Sequence, residues 1–191
     1  MTNDLSFLFS MPTRIVYGPG SVAEVGAELA DLGARRALVV TDRVLLEQTD
    51  IVGKVQRALG TACAGVYADV EPDSRIQIVD AGAALASELE ADALVSVGGG
   101  SCIDTAKAIS IVLGSGGSMR DHFAVHAVTS RLVPHLAIPT TAGTGSEVTN
   151  VALVKDEAAH AKSFVLDNAI FPRTALLDPR ESNYLAAIAP G

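Results

Sequence analysis

A chain of 191 residues, 49% apolar and 19% charged, is long enough for a sizeable core and too apolar for a disordered segment. A net charge of −8 with no basic run excludes a nucleic-acid backbone as partner. No apolar stretch approaches the roughly 20 residues that cross a bilayer, so alanine and valine, not a membrane span, raise the mean hydropathy to +0.35.

The first ten residues open with an acid and no cation, unlike a signal peptide. Arg14–Gly18 reads as a strand ending at a glycine. Residues 21–32 carry Val22, Val25, Leu29 and Leu32 at helical spacing, with Ser21 as the expected N-cap and Gly33 as the stop. Ala37–Asp42 is a strand of the buried type. A helix is expected over Val44–Leu59, closed by Gly60. The two cysteines, Cys63 and Cys102, cannot build a disulfide framework and read as small core or semi-buried residues, which points to the cytoplasm. Gly65–Val70 is a third strand. A helix capped by Asp73 or Ser74 runs to about Glu90, and Ala93–Val97 is a fourth strand. His135–Pro139 is strand-like. Val151–Val154 and Ser163–Leu166 read as a hairpin, and Ala175–Leu177 as a short last strand. Strands separated by helices of this length predict right-handed crossovers and a parallel α/β sheet with helices on both faces. Ligands of such sheets bind beyond the carboxyl ends of the strands.

Two runs at those ends carry the chemistry. In Val97-Gly-Gly-Gly-Ser-Cys-Ile-Asp-Thr-Ala-Lys107 a strand runs through Gly98, Gly99 and Gly100 into a helix. Bare backbone and a helix N-terminus suit an anion such as a pyrophosphate. Ser101 and Asp104 also have capping-box spacing, and Lys107 is placed for an ion pair with Asp104 on one helix face. The second run is Ile138-Pro-Thr-Thr-Ala-Gly-Thr-Gly-Ser-Glu-Val-Thr149, in which seven residues are Thr, Ser or Gly. It offers hydroxyls and backbone to a polar ligand, and Thr144 and Glu147 repeat the capping-box spacing. Asp42, at the end of its strand, is either a helix cap or an acceptor for ribose hydroxyls; the second role would repel a 2′-phosphate and favour NAD over NADP. His122 and His126 are four apart, but no carboxylate or cysteine joins them, so solvent or packing roles are favoured over a metal.

The two runs together resemble the paired signatures of the iron-containing (group III) alcohol dehydrogenases. Ile15-Val-Tyr-Gly-Pro-Gly20, Val70-Glu-Pro-Asp73 and Leu177-Asp-Pro179 support the resemblance, which covers essentially the whole chain in order. It implies a Rossmann-like parallel sheet with flanking helices and a β-hairpin, followed in the family by a helical domain. It implies that Asp42 faces the adenosine ribose of NAD(H), that Gly99, Gly100 and Ser101 hold the pyrophosphate, and that Thr140, Thr141, Thr144 and Thr149 line the cofactor. Lys162 would reach it from the hairpin. Asp73 would contact the cofactor on the adenine side, where relatives often carry Asn. The family's metal, iron or sometimes zinc, is held by an Asp and three His and polarises a small alcohol or aldehyde during hydride transfer. The family's Asp-x-x-x-His pair is expected shortly after the stretch matching Leu177-Asp-Pro179, and none follows that stretch up to Gly191. Residues 1–191 are therefore expected to be a dinucleotide-binding domain without a metal site of its own, with its helical partner domain absent. Fe2+ or Zn2+ would belong only to a full-length protein. The sheet face turned to that partner is expected to be exposed, and a homodimer is plausible by resemblance. The full Thr-rich run favours alcohol dehydrogenases over the related glycerol dehydrogenases and maleylacetate reductases. The alternative is a non-catalytic nucleotide-binding module.

Overall fold

The computed structural model describes residues 11–158 and 161–182. The readings of residues 1–10, of His160 and of the segment ending at Gly191 lie outside them. Six strands form one parallel sheet: β1 (Arg14–Tyr17), β2 (Ala37–Val40), β3 (Cys63–Tyr67), β4 (Ala93–Gly98), β5 (His135–Pro139) and β8 (Thr174–Leu177). Their order is β1-β8-β5-β4-β2-β3. The expected hairpin is present as antiparallel β6 (Val151–Asp156) and β7 (Ala161–Leu166). The helices are α1 (Val25–Asp31), α2 (Arg43–Gln48), α3 (Ile51–Leu59), α4 (Ile76–Glu88) and α5 (Gly100–Ser115). No described helix is long and apolar enough to cross a membrane.

Alternation along the strands builds two cores. Ala37, Val39, Val95 and Val97 join Leu136 and Ile138 under α1 and α3. Leu38, Val40 and Leu94 point the other way, into a core shared with α4, α5 and the hairpin. Strands β2, β4 and β5 are buried at every residue. Helices thus cover both faces of these central strands, and the expected exposed face is confined to the edge of the sheet. Exposed apolar side chains lie on edge strand β1, at Ile15 and Tyr17, and on the hairpin, at Leu153 and Phe164.

Several helix starts differ from the sequence reading. The first helix opens as a 3-10 turn over Ser21–Glu24, with Gly20 in the left-handed region (φ 89°) at the cap position expected for Ser21. The segment expected as one helix over Val44–Leu59 breaks at Thr49, whose hydroxyl turns back to donate to Leu45 O at 2.6 Å while its backbone is extended. Neither Asp73 nor Ser74 caps α4. Ser74 Oγ donates instead to Glu71 O, and Asp73 adopts φ 56°, its carboxylate paired elsewhere. In α5 the cap is Gly99, which moves Ser101 into the first turn and leaves Asp104 facing the hairpin, where Leu153 N needs an acceptor. Thr144 takes the amide of Ser146, not that of Glu147, because Gly145 (φ 67°) heads a tight 3-10 turn there. None of these expected caps or capping boxes forms.

Inside the sheet, the His135 ring and Ser96 Oγ bond at 2.7 Å, linking β5 to β4. Burial, reinforced by the Lys107 charge, pulls the His135 pKa down to about 3. The unfolded ring takes a proton near pH 6.5, so between about 6.5 and 3 the unfolded chain holds one proton more than the folded chain. Stability conferred by neutral His135 is thus complete above about pH 6.5 and falls as pH drops, by roughly 1.4 kcal/mol per pH unit. Urea unfolding measured from about pH 7 to 4 is expected to show a shallower acid decline for His135→Gln than for the parent chain. Equal slopes would contradict the burial of a neutral ring.

Candidate functional site

The chain passes from β2 outward to β3, the sheet edge, then returns to β4 on the other side of β2. The loops after β2 and β4 therefore diverge. A parallel sheet leaves a crevice at such a switch point. Here it is a cavity of about 910 Å³ lined by the ends of β2, β3, β4 and β5.

Three consecutive glycines shape its floor. Gly98 has φ 145°, and a Cβ there would collide with Cys102 Sγ. A Cβ on Gly99 would sit 3.1 Å from Thr141 Oγ1, and one on Gly100 would sit 3.2 Å from Ser146 Oγ and 3.3 Å from Thr144 Cγ2. The glycine loop and the threonine loop thus touch so closely that a Cβ on Gly99 or Gly100 would require its neighbours to shift by a few tenths of an ångström. Helix α5 starts at this contact with no side chain capping it. Its first amides and the positive end of its dipole are directed at the cavity floor.

Of the residues singled out in the sequence, Asp42, Gly99, Gly100, Ser101, Thr140 and Thr141 line the cavity. Both readings of Asp42 are compatible: it caps α2 by accepting from Leu45 N at 2.8 Å, and it lies on the cavity wall. Its other oxygen accepts from Cys102 Sγ at 3.7 Å, and burial drives that thiol pKa far upward. Gly98, Asp104, Thr144 and Thr149 stand behind the lining. Asp73 and Lys162 are joined by a 2.7 Å ion pair between the loop after β3 and the hairpin. Asp73 N also donates to Ser101 Oγ at 3.3 Å.

Sequence reasoning passed over two parts of the wall. Leu45, Val70, Ile78 and Ala81 make one side apolar. Arg43 and Asp69 stand at the rim. Only the run Val70–Asp73 had signalled the second loop, through its position after a strand. Outside this cavity, the two outlying motifs meet: Gly20 N donates to Asp178 Oδ2 at 2.7 Å, joining the loop after β1 to the loop after β8. His122 Nε2 lies 2.7 Å from Gly116 O, His126 has φ 52°, and the described residues contain no group of three or more His, Cys, Asp or Glu placed to hold a metal.

Beneath the threonine loop lies a buried cation. Lys107, on α5, has no exposed surface. Its Nζ donates to Val151 O at 2.7 Å and to Thr149 Oγ1 at 3.3 Å, with Asp104 Oδ1 at 3.7 Å. The expected Asp104–Lys107 ion pair is thus present, but in the core and not on a solvated face. Burial pulls the Lys107 ammonium down to about 8, opposed by Asp104 and Glu147. Burial pushes the Asp104 carboxyl up, opposed chiefly by Lys107.

The family model for iron-containing alcohol dehydrogenases matches residues 12–179. The chain is 42% identical over 173 residues to the NAD-dependent methanol dehydrogenase of Bacillus methanolicus, a match that covers 90% of this chain and 45% of that protein. It superposes on an alcohol dehydrogenase from Oenococcus oeni with a TM-score of 0.86 and 30% identity, covering 93% of this chain and 47% of the other. A sulfoacetaldehyde reductase from Bifidobacterium kashiwanohense, solved in complex with NAD+, gives a TM-score of 0.85 at 26% identity, over 95% of this chain and 48% of the other. The chain spans about half the length of these relatives.

Breaking the buried pair from one side leaves Asp104 charged and unpaired. Lys107→Met is therefore expected to cost about 3–5 kcal/mol of unfolding free energy, measured in urea. Adding Asp104→Asn is expected to return part of that loss, because the amide removes the stranded charge and still accepts from Leu153 N. Additive losses in the double variant would contradict the coupling.

Proposed function

The chain belongs to the iron-containing alcohol dehydrogenase family, and from that premise we propose that it is the dinucleotide-binding portion of an NAD-dependent alcohol dehydrogenase. The observation that carries the proposal is the glycine cradle. Gly99 and Gly100 bring bare backbone to the cavity wall, at the N-terminus of a 16-residue helix and packed closely against a hydroxyl-rich loop. A pyrophosphate fits such a place in size and charge. When bound, the nicotinamide supplies the hydride acceptor or donor for a small alcohol or aldehyde.

In this reading the chain's own residues bind and orient. The first amides of α5 and Ser101 take the pyrophosphate. Thr140 and Thr141 fix the cofactor from the β5 side. Asp42 accepts from the ribose hydroxyls and disfavours a 2′-phosphate. Leu45, Val70, Ile78 and Ala81 provide the apolar wall for the adenine. Thr144 and Thr149 hold the loop in place from behind. Asp104 supports it by fixing the hairpin, and Gly98 lets the strand turn into the helix. Lys162, now paired with Asp73, would exchange that partner for the cofactor's phosphates. The described residues offer no donor set for iron or zinc, so no step on this chain is assigned to a metal.

Titration of the chain with NADH, followed by nucleotide fluorescence, tests the proposal. Saturable binding is expected, with NADPH weaker. Gly100→Val, which fills the cradle, is expected to weaken NADH by about tenfold or more while far-UV dichroism is retained. Unchanged affinity in that variant would remove the cradle from the site.

A further inference from the structure

Arg43 and Asp69 form a fork at the cavity rim. Arg43 Nε and Nη2 both donate to Asp69 Oδ1, at 3.0 and 2.6 Å. The backbone creates this meeting. Thr41 N donates to Tyr67 O and Val70 N to Thr41 O, so Asp42 and Asp69 face each other in an isolated antiparallel bridge. Arg43 is thereby placed beside the acid that follows β2 and opposite a second acid.

In dinucleotide-binding sheets an acid at this strand end suits ribose hydroxyls, whereas an arginine nearby accommodates a 2′-phosphate. This chain carries both. Asp42 is held by Leu45 N. The guanidinium of Arg43, the cation that would answer a phosphate, is already committed to Asp69. The two side chains are 71% and 54% exposed, so the pair is solvent-screened and exchangeable, not locked. Glu47, one turn along α2, adds further negative field at Arg43.

We infer that Asp69 is a positioning residue for cofactor choice: by holding Arg43, it withholds from a 2′-phosphate the cation that stands beside Asp42. The inference rests on the dinucleotide reading above and extends it to a residue outside the glycine and threonine runs. Its chemistry is exchange of one anion for another on a guanidinium. A phosphate monoester brings up to two charges and three acceptor oxygens, and it must displace a carboxylate already seated there.

Fluorescence titrations of the full chain with NADH and with NADPH, at one ionic strength, provide the test. Asp69→Asn is expected to raise the ratio of NADPH to NADH affinity about tenfold, the scale of one charge-assisted contact at a partly exposed site. Arg43→Met combined with Asp69→Asn is expected to abolish that rise. A ratio that does not rise in Asp69→Asn overturns the inference. So does a rise that survives removal of Arg43, since Asp69 would then act by its own charge alone. Failure of the parent chain to bind either nucleotide would instead overturn the dinucleotide reading itself, a result distinct from both.

Discussion

The interior of this fold depends on where one ammonium group goes. Helix α5 is buried on nearly every side from Cys102 to Val112, so its lysine has no route to solvent. An unpaired cation there would be prohibitive. Lys107 resolves this by reaching across to Val151 O and Thr149 Oγ1, beside Asp104. Those bonds determine where the hairpin begins and how the threonine loop ends. The same helix begins at the glycine cradle. One buried charge therefore couples the loop that faces α5 to the helix whose amides face the cavity.

Around that coupling the sheet does the coarse positioning. Parallel strands direct all their carboxyl ends to one side, and the reversal of strand order opens the crevice. Fine positioning comes from close approach. Gly99 and Gly100 let the backbone meet Thr141, Thr144 and Ser146, and the Thr41–Tyr67 and Val70–Thr41 bonds bring the loops after β2 and β3 together. The cavity is consequently apolar on one wall, rich in amides and hydroxyls on its floor, and acidic along part of its rim.

Much of this was legible in the residue order. The buried strands announce themselves as unbroken apolar runs, and the glycine and threonine runs fall where strands end. Local capping logic was less successful. Ser101 with Asp104, and Thr144 with Glu147, have the spacing of reciprocal caps, yet in each case a glycine takes the cap position. The reason lies outside the local window. Asp104 accepts from Leu153, 49 residues away, and that tertiary demand outweighs a cap. The Arg43–Asp69 and Asp73–Lys162 pairs were invisible for the same reason, being consequences of strand order and not of spacing. Asp42 lies between these extremes: its two roles could not be separated by sequence, because one carboxylate at that position can serve both.

The partnership of β1 with β8 has a bearing on how the molecule assembles. Arg14 is in register with Thr174, and Gly20 is tied to Asp178. On a ribosome, the first strand would emerge early and wait for almost everything that follows before finding its neighbour. Closing so long a span slows the search for that contact. During that interval Ile15 and Tyr17 belong to an unpaired segment flanked by Arg14, the side chain that later meets Glu28. The pairings in the middle of the sheet, β2 with β4 and β4 with β5, close much shorter spans of chain.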